Sequence, residues 1–103
     1  MTHYFIIFAT DKPGQGDLRN RIRPLHRSYL RATAEHGVRV HLGGPTLAQQ
    51  SATMNGTLLV VETTDHEQVR RFVENDPYMQ AGLFEHVEIR AWNWTLGNPN
   101  QPD

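Results

Sequence analysis

Four segments of the chain carry the β-branched and aromatic residues that favour extended strands. Residues 3–10 are apolar on both faces in the middle of the run, which is typical of a central strand. Further strands are predicted over residues 38–42, 57–63 and 84–94. In the last of these, apolar and charged residues alternate, which indicates a strand with only one face in the core.

Spacings of three and four separate the apolar residues between positions 17 and 36, which predicts a helix. The expected apolar stripe consists of Leu18, Ile22, Leu25, Tyr29 and Ala32. Proline fits only the first turn of a helix, so the main helix is predicted to start at Pro24 and to end at Gly37. A second helix is predicted over residues 66–75, and a short helical turn over residues 77–81.

The order strand, helix, strand, strand, helix, strand is the split pattern of ferredoxin-like folds. We therefore expect an α+β domain, with a βαββαβ antiparallel sheet and both helices on one face. One layer of helices cannot cover apolar residues on both sides of the first strand, so two such sheets are expected to pack together as a symmetric homodimer. The domain is expected to span residues 1–94, and the proline- and asparagine-rich residues 95–103 to form a flexible tail.

Composition excludes several classes of function. The 103 residues carry a net charge of −1, which argues against nucleic acid as the main partner. The chain has no cysteine, so thiolate nucleophiles, disulfides and cysteine-based metal centres are excluded. The six histidines show no metal-ligand spacing, and no metal is expected. Nothing resembles a signal peptide or a membrane span, so we expect a cytoplasmic protein without a membrane partner.

His26 is the histidine whose position favours chemistry. It lies between Ile22 and Leu30 at four-residue spacing, at the border of the apolar stripe, where an imidazole is partly desolvated. Because its charge changes near neutral pH, such an imidazole beside a cavity is well suited to act as a general base. The alternative is a structural histidine that bonds a backbone carbonyl.

Two further groups carry open alternatives. Asp76 precedes Pro77, which is ordinary helix-capping chemistry, but its carboxylate could instead orient an imidazole. Arg19, Arg21 and Arg23 form a run that is usually solvated, although one of them could clamp an anionic oxygen of a substrate.

Four motifs in order and spacing resemble the YCII (YciI-like) family. They are Arg23-Pro24-Leu25-His26, Gly44-Pro45, Asp76-Pro77-Tyr78 and Gly82-Leu83-Phe84-Glu85. The resemblance covers residues 3–94. It implies a dimeric α/β-barrel version of the ferredoxin-like fold, and an active-site histidine–aspartate dyad that falls on His26 and Asp76.

The resemblance also implies an activity. Most of the family has no assigned activity, but its best-known enzyme removes HCl from a chlorinated hydroxyhydroquinone, and the turn at Asp11-Lys12-Pro13-Gly14 resembles that enzyme as well. It implies a dehydrochlorinase without a cofactor, acting on a small aromatic substrate of the 5-chlorohydroxyhydroquinone type through His26 and Asp76.

Supporting roles are predicted from position. Arg19 or Arg23 would stabilise the oxyanion or the departing chloride, and Tyr78 and Phe5 would wall the ring. One alternative is a dimeric module that binds a small ligand or a partner without turnover. Another is an isomerase or an oxygen-using monooxygenase that acts on a polyhydroxylated ring without a cofactor.

Overall fold

The computed structural model describes residues 3–100 and contains a four-stranded antiparallel sheet with helices. The strands are β1 (His3–Asp11), β2 (Arg39–Leu47), β3 (Met54–Thr63) and β4 (Phe84–Trp92). The helices are α1 (Gly16–Leu30), α2 (Thr33–His36), α3 (His66–Glu74) and α4 (Pro77–Gln80). The strand order β2-β3-β1-β4 makes β1 a central strand, as predicted, and the fold is the expected α+β ferredoxin-like one.

The register of β1 separates the two faces of the sheet. Phe5 pairs with Val61 of β3, and Ile7 pairs with Leu59, so alternate side chains of both strands point the same way. The hydrophobic core lies on this face, between sheet and helices. It consists of Phe5, Ile7, Val38, Leu59, Val61, Val69, Phe72 and Val73.

The observed helix α1 differs from the predicted one in its start and in the residues that form its buried face. It runs unbroken from Gly16, with Pro24 inside it and exposed, although proline there cannot donate a hydrogen bond to the preceding turn. Leu25 is 60% exposed, whereas Arg19 and His26 are buried. These polar residues can occupy the inward face because each has a buried carboxylate partner. The contact of Arg19 lies before the proline and that of His26 after it, so both parts of the helix are held in place.

The helix also ends earlier than predicted, at Leu30, and the short α2 follows it. Gly37 has a φ of 75° and caps α2, so its predicted role as a helix end is confirmed for this short helix. Asp65 caps α3 by accepting a hydrogen bond from the backbone N–H of Gln68 at 2.8 Å.

Strand β2 is longer than predicted. It continues beyond residue 42, through Gly43, Gly44 and Pro45 to Leu47. Pro45 is tolerated because β2 is an edge strand, and two register shifts accommodate its mismatch with β3.

The second face of the sheet leaves large apolar side chains exposed. Phe8, Leu42 and Leu58 are 48%, 55% and 40% exposed. Part of the predicted tail packs on this side, where the buried Asn98 donates hydrogen bonds to the Tyr4 hydroxyl and the Trp94 carbonyl, both at 3.3 Å. Residues 101–103 of that tail lie outside the described residues, as do residues 1 and 2 of the predicted domain.

Candidate active site

The structure brings His26 of α1 against Asp76, fifty positions later in the chain. The distance from His26 Nδ1 to Asp76 Oδ1 is 2.9 Å, and the two side chains are only 7% and 5% exposed. The same carboxylate oxygen accepts the backbone N–H of Tyr78 at 2.9 Å and so caps α4. The capping and orienting roles of Asp76 are therefore compatible: the turn that needs the cap fixes the carboxylate that meets the imidazole.

The hydrogen bond to Asp76 assigns the tautomer of His26. A carboxylate only accepts, so Nδ1 carries the proton and Nε2 is left with a free lone pair. Within residues 3–100, Nε2 has no hydrogen-bond partner, yet no fully buried side-chain nitrogen or oxygen there lacks one. Nε2 is therefore reached from a cavity, which is the arrangement that a general base requires.

Tyr78 forms the adjoining wall. Its ring stacks on the His26 imidazole with centroids 4.0 Å apart and an interplanar angle of 21°. The guanidinium carbon of Arg19 lies 4.6 Å from the centre of the same ring, within cation–π distance. Tyr78, which was predicted to lie against the substrate ring, thus packs directly on the His26 imidazole.

The guanidinium group of Arg19 is bound by neighbouring side chains. Its Nε and Nη2 donate to the two carboxylate oxygens of Asp11 at 2.7 and 3.0 Å, and Nη2 also donates to Thr57 Oγ1 at 2.7 Å. Both side chains of the ion pair are buried. Its charge is balanced by Asp11, so its place in the site is that of a wall residue.

A cavity of about 270 Å³ lies between α1 and the β2–β3 edge of the sheet. It is lined by Arg19, Arg23, His26, Arg27, Leu30, Arg31, Gly43, Gly44, Pro45, Met54, Thr57 and Tyr78. Its volume is just below the range typical of pockets for drug-sized ligands, which suits a molecule built on one ring.

Arg23 lies in this cavity as predicted. Its Nη2 donates to Asn20 Oδ1 at 2.8 Å and contacts the Met54 sulfur at 2.7 Å. Arg27 and Arg31 line the same cavity and were not singled out from the sequence. The signal that could have found them is their spacing of four and eight residues from Arg23, which puts all three on one side of a helix.

Phe5, the other predicted wall residue, is not brought to this cavity. It lies in the core, four residues before Ala9, and Ala9 pairs with the cavity residue Thr57. Four residues of strand span about 13 Å, so Phe5 is near the opposite end of the sheet. There it borders a larger, more open depression of about 880 Å³.

The pKa of Tyr29 depends on its burial and, to a smaller extent, on the charge of Asp76. Burial, followed by the nearby Asp76 carboxylate, raises the pKa of Tyr29 from 10.0 to about 12. The Tyr29 hydroxyl donates to the Phe72 carbonyl at 2.8 Å.

The described part of the chain holds neither a metal-ligand cluster nor a helix that could span a membrane. No group of three or more potential metal-ligating side chains occurs within residues 3–100. No helix in that part of the chain is long and apolar enough to cross a membrane.

One known protein family accounts for nearly the whole chain. Residues 3–93 match the YCII-related domain. The chain belongs to the YCII-related family. It is 30% identical over 93 residues to Protein YciI of Escherichia coli, covering 85% of this chain and 94% of that protein. It is 33% identical over 82 residues to the Emericella nidulans derivative of benzaldehyde biosynthesis cluster protein C, covering 72% and 80%.

One similar solved structure is that of an enzyme. The 5-chloro-2-hydroxyhydroquinone dehydrochlorinase of Burkholderia phenoliruptrix is 32% identical, with a TM-score of 0.79 over 87% of this chain and 93% of that one. That enzyme was solved in complex with 2,5-dihydroxybenzoquinone.

Proposed function

We propose that this YCII-related protein is a dehydrochlorinase that works without a cofactor and eliminates HCl from a chlorinated hydroxyhydroquinone to give a hydroxybenzoquinone. The observation that carries the proposal is the His26–Asp76 pair at the wall of a ring-sized cavity, with Nδ1 fixed and Nε2 free. The likeness to a dehydrochlorinase that binds a dihydroxybenzoquinone supports the choice of reaction.

In the proposed reaction His26 Nε2 takes the proton from the ring hydroxyl next to the carbon–chlorine bond. The resulting oxyanion pushes electrons into the ring, and the imidazolium returns the proton to the carbon that bears chlorine, which becomes tetrahedral. His26 then takes a second proton from the hydroxyl opposite the first. The electrons released form the second carbonyl and expel chloride, so the net loss is one HCl and no oxidant is required.

The residues around His26 have matching roles. Asp76 holds the imidazole in one tautomer and stabilises its cationic form after each proton transfer. Of the two arginines predicted for this role, Arg23 would stabilise the oxyanion, whereas the charge of Arg19 is already balanced by Asp11. Tyr78 would hold the ring of the substrate beside the imidazole.

Chloride release from a freshly reduced chlorinated hydroxyhydroquinone, followed under argon, tests the reaction. Argon and a control without protein are needed because the substrate oxidises in air. We expect release well above the control, with hydroxybenzoquinone formed in equal amount. Release no faster than in the control would rule out the dehydrochlorinase and leave a module that binds a ligand without turnover.

We propose in addition that two copies pack through the second face of the sheet. Phe8, Leu42 and Leu58 form an apolar surface there, and exposed apolar surfaces of this kind mark interaction sites. Sedimentation analysis should find a dimer for the wild type and a monomer for Leu58→Lys. A monomeric wild type would contradict this assembly.

A further inference from the structure

The cavity beside His26 has an unbalanced positive charge. Its lining contains four arginines and no acidic residue within the described chain. The charge of Arg19 is balanced by Asp11, while Arg23 bonds the neutral Asn20. The side chains of Arg27 and Arg31 form no hydrogen bond or ion pair with any residue from 3 to 100.

The arrangement of these arginines is unfavourable in the empty protein. Arg23 and Arg27 on α1 and Arg31 at its C-terminal cap follow one another at four-residue spacing, and like charges at that spacing repel and destabilise a helix. The helix dipole favours cations at this end of the helix, which accounts for Arg27 in the last turn and for Arg31 but not for Arg23. An anion bound between the side chains would remove the repulsion.

The opposite side of the cavity leaves room for such an anion. Gly43 of β2 lines this side, on the same face of the sheet as Leu59, and has no side chain. A side chain there would be crowded by Leu59, because a Cβ at Gly43 would lie 2.7 Å from a Leu59 methyl carbon. The wall of the cavity therefore holds the His26 imidazole stacked on Tyr78, together with the guanidinium groups of Arg27, the next residue of α1, and of Arg31 just beyond its end.

From this charge distribution we infer that the ligand is a single aromatic ring bearing a carboxylate. The ring lies beside His26 and Tyr78, and the carboxylate is held by Arg27 and Arg31. A guanidinium is a planar fork that matches the two oxygens of a carboxylate, and the cavity of about 270 Å³ holds one ring with a small planar anion. This inference takes from the proposed function only that the His26 cavity is the substrate site. Within that function, it specifies a chlorinated hydroxyhydroquinone that also carries a carboxylate.

Calorimetric titration with gentisate and with its uncharged primary amide, under argon, tests the inference. The two probes share the hydroquinone ring and differ in the carboxylate. We expect the wild type to bind gentisate about tenfold more tightly than the amide, as a charge-assisted pair would give. In the double variant Arg27→Gln, Arg31→Gln this preference should fall to less than about twofold.

A matched control removes the same charge elsewhere. Arg70 lies on the exposed side of α3, and Arg90 is an exposed residue of β4. The double variant Arg70→Gln, Arg90→Gln should keep the full preference for gentisate. Loss of the preference in this control would show that net charge, and not the arginine row, is responsible.

Three results would overturn the inference: equal binding of the two probes, a preference that survives the loss of Arg27 and Arg31, or displacement of gentisate by inorganic phosphate at similar concentration. The proposed reaction is tested separately by chloride release. A carboxylate preference without turnover would refute the reaction and keep the inference. Turnover without the carboxylate preference would support the reaction and refute the inference.

Discussion

The two faces of the sheet each carry a buried histidine paired with a carboxylate, and only one of these pairs is equipped for catalysis. On the helix-covered side, His26 and Asp76 are 2.9 Å apart. On the other side, His41 and Glu62 are 2.6 Å apart, and both histidines are 7% exposed. The distance and the burial of the histidine therefore do not distinguish the pairs, although the side chain of Glu62 is more exposed than that of Asp76, 20% against 5%.

The surroundings of the two histidine–carboxylate pairs do distinguish them. Asp76 is fixed by the backbone N–H of Tyr78, and His26 lies in the wall of a cavity that also contains arginines. His41 instead packs against the Tyr4 and Trp94 rings in T-shaped contacts, with ring centroids 5.6 Å apart in each case, and lines neither the cavity beside His26 nor the depression of about 880 Å³. A histidine–carboxylate pair becomes a candidate catalyst when a substrate can reach its free nitrogen.

The largest expected difference between the faces is in turnover. His26→Ala removes the general base, so the rate of chloride release should fall about 10²- to 10⁴-fold. His41→Ala should remain within about twofold of the wild type, since His41 has no access to the cavity. Equal losses in the two variants, both folded by circular dichroism, would contradict the distinction drawn between the pairs.

The ion pairs of the two faces should differ next, in stability. Arg19→Met leaves the buried carboxylate of Asp11 without its partner and should lower the free energy of unfolding by about 3 to 5 kcal/mol. Arg90→Met breaks an ion pair with Glu88 in which Arg90 is 74% exposed, and should cost about 1 kcal/mol or less. Urea unfolding measures both. Similar losses would show that burial of the first pair does not decide its contribution.

Asp76→Asn tests orientation separately from folding. Asparagine caps helices as well as aspartate does, so α4 should persist, but the imidazolium formed on His26 loses its counter-charge. We expect chloride release to slow about a hundredfold. The counterpart Glu62→Gln, on the other face, should leave the rate unchanged, and a matching loss there would undermine the role given to Asp76.

The smallest expected effect is on the titration of Tyr29. Its pKa of about 12 lies above the value of 10.0 expected in the unfolded chain, so the folded protein holds this proton more tightly. The contribution of Tyr29 to stability is present below pH 10.0 and decreases as the pH rises from 10.0 towards 12.

Phenolate absorbance, with Tyr29→Phe subtracted, measures this pKa. Asp76→Asn should lower it, but not to 10.0, because burial is the larger cause. Glu62→Gln should leave it unchanged. A Tyr29 that titrates at its ordinary value in the wild type would show that the Asp76 carboxylate does not act on it.

Local patterns were sufficient to predict much of the fold. The four strands, the central position of β1 and the caps at Asp65 and Gly37 follow from β-propensity, alternation and backbone preferences of single residues. The continuous α1 and the full length of β2 did not follow. Pro24 is tolerated inside α1 because the contacts of Arg19 and His26 stabilise the helix on both sides of it. Pro45 is tolerated in β2 because β2 is an edge strand.

The sequence by itself determined most of the residues that could do chemistry here: His26, Asp76, Tyr78, Arg19 and Arg23. Only the tertiary structure decided what each of them does, because charge balance depends on neighbours that are distant in the chain. Asp11 balances Arg19, while Arg27 and Arg31 have no such partner in the described residues. The alternation of β1 buried Phe5 far from the cavity, and the turn at Asp76 placed a carboxylate against an imidazole fifty residues away.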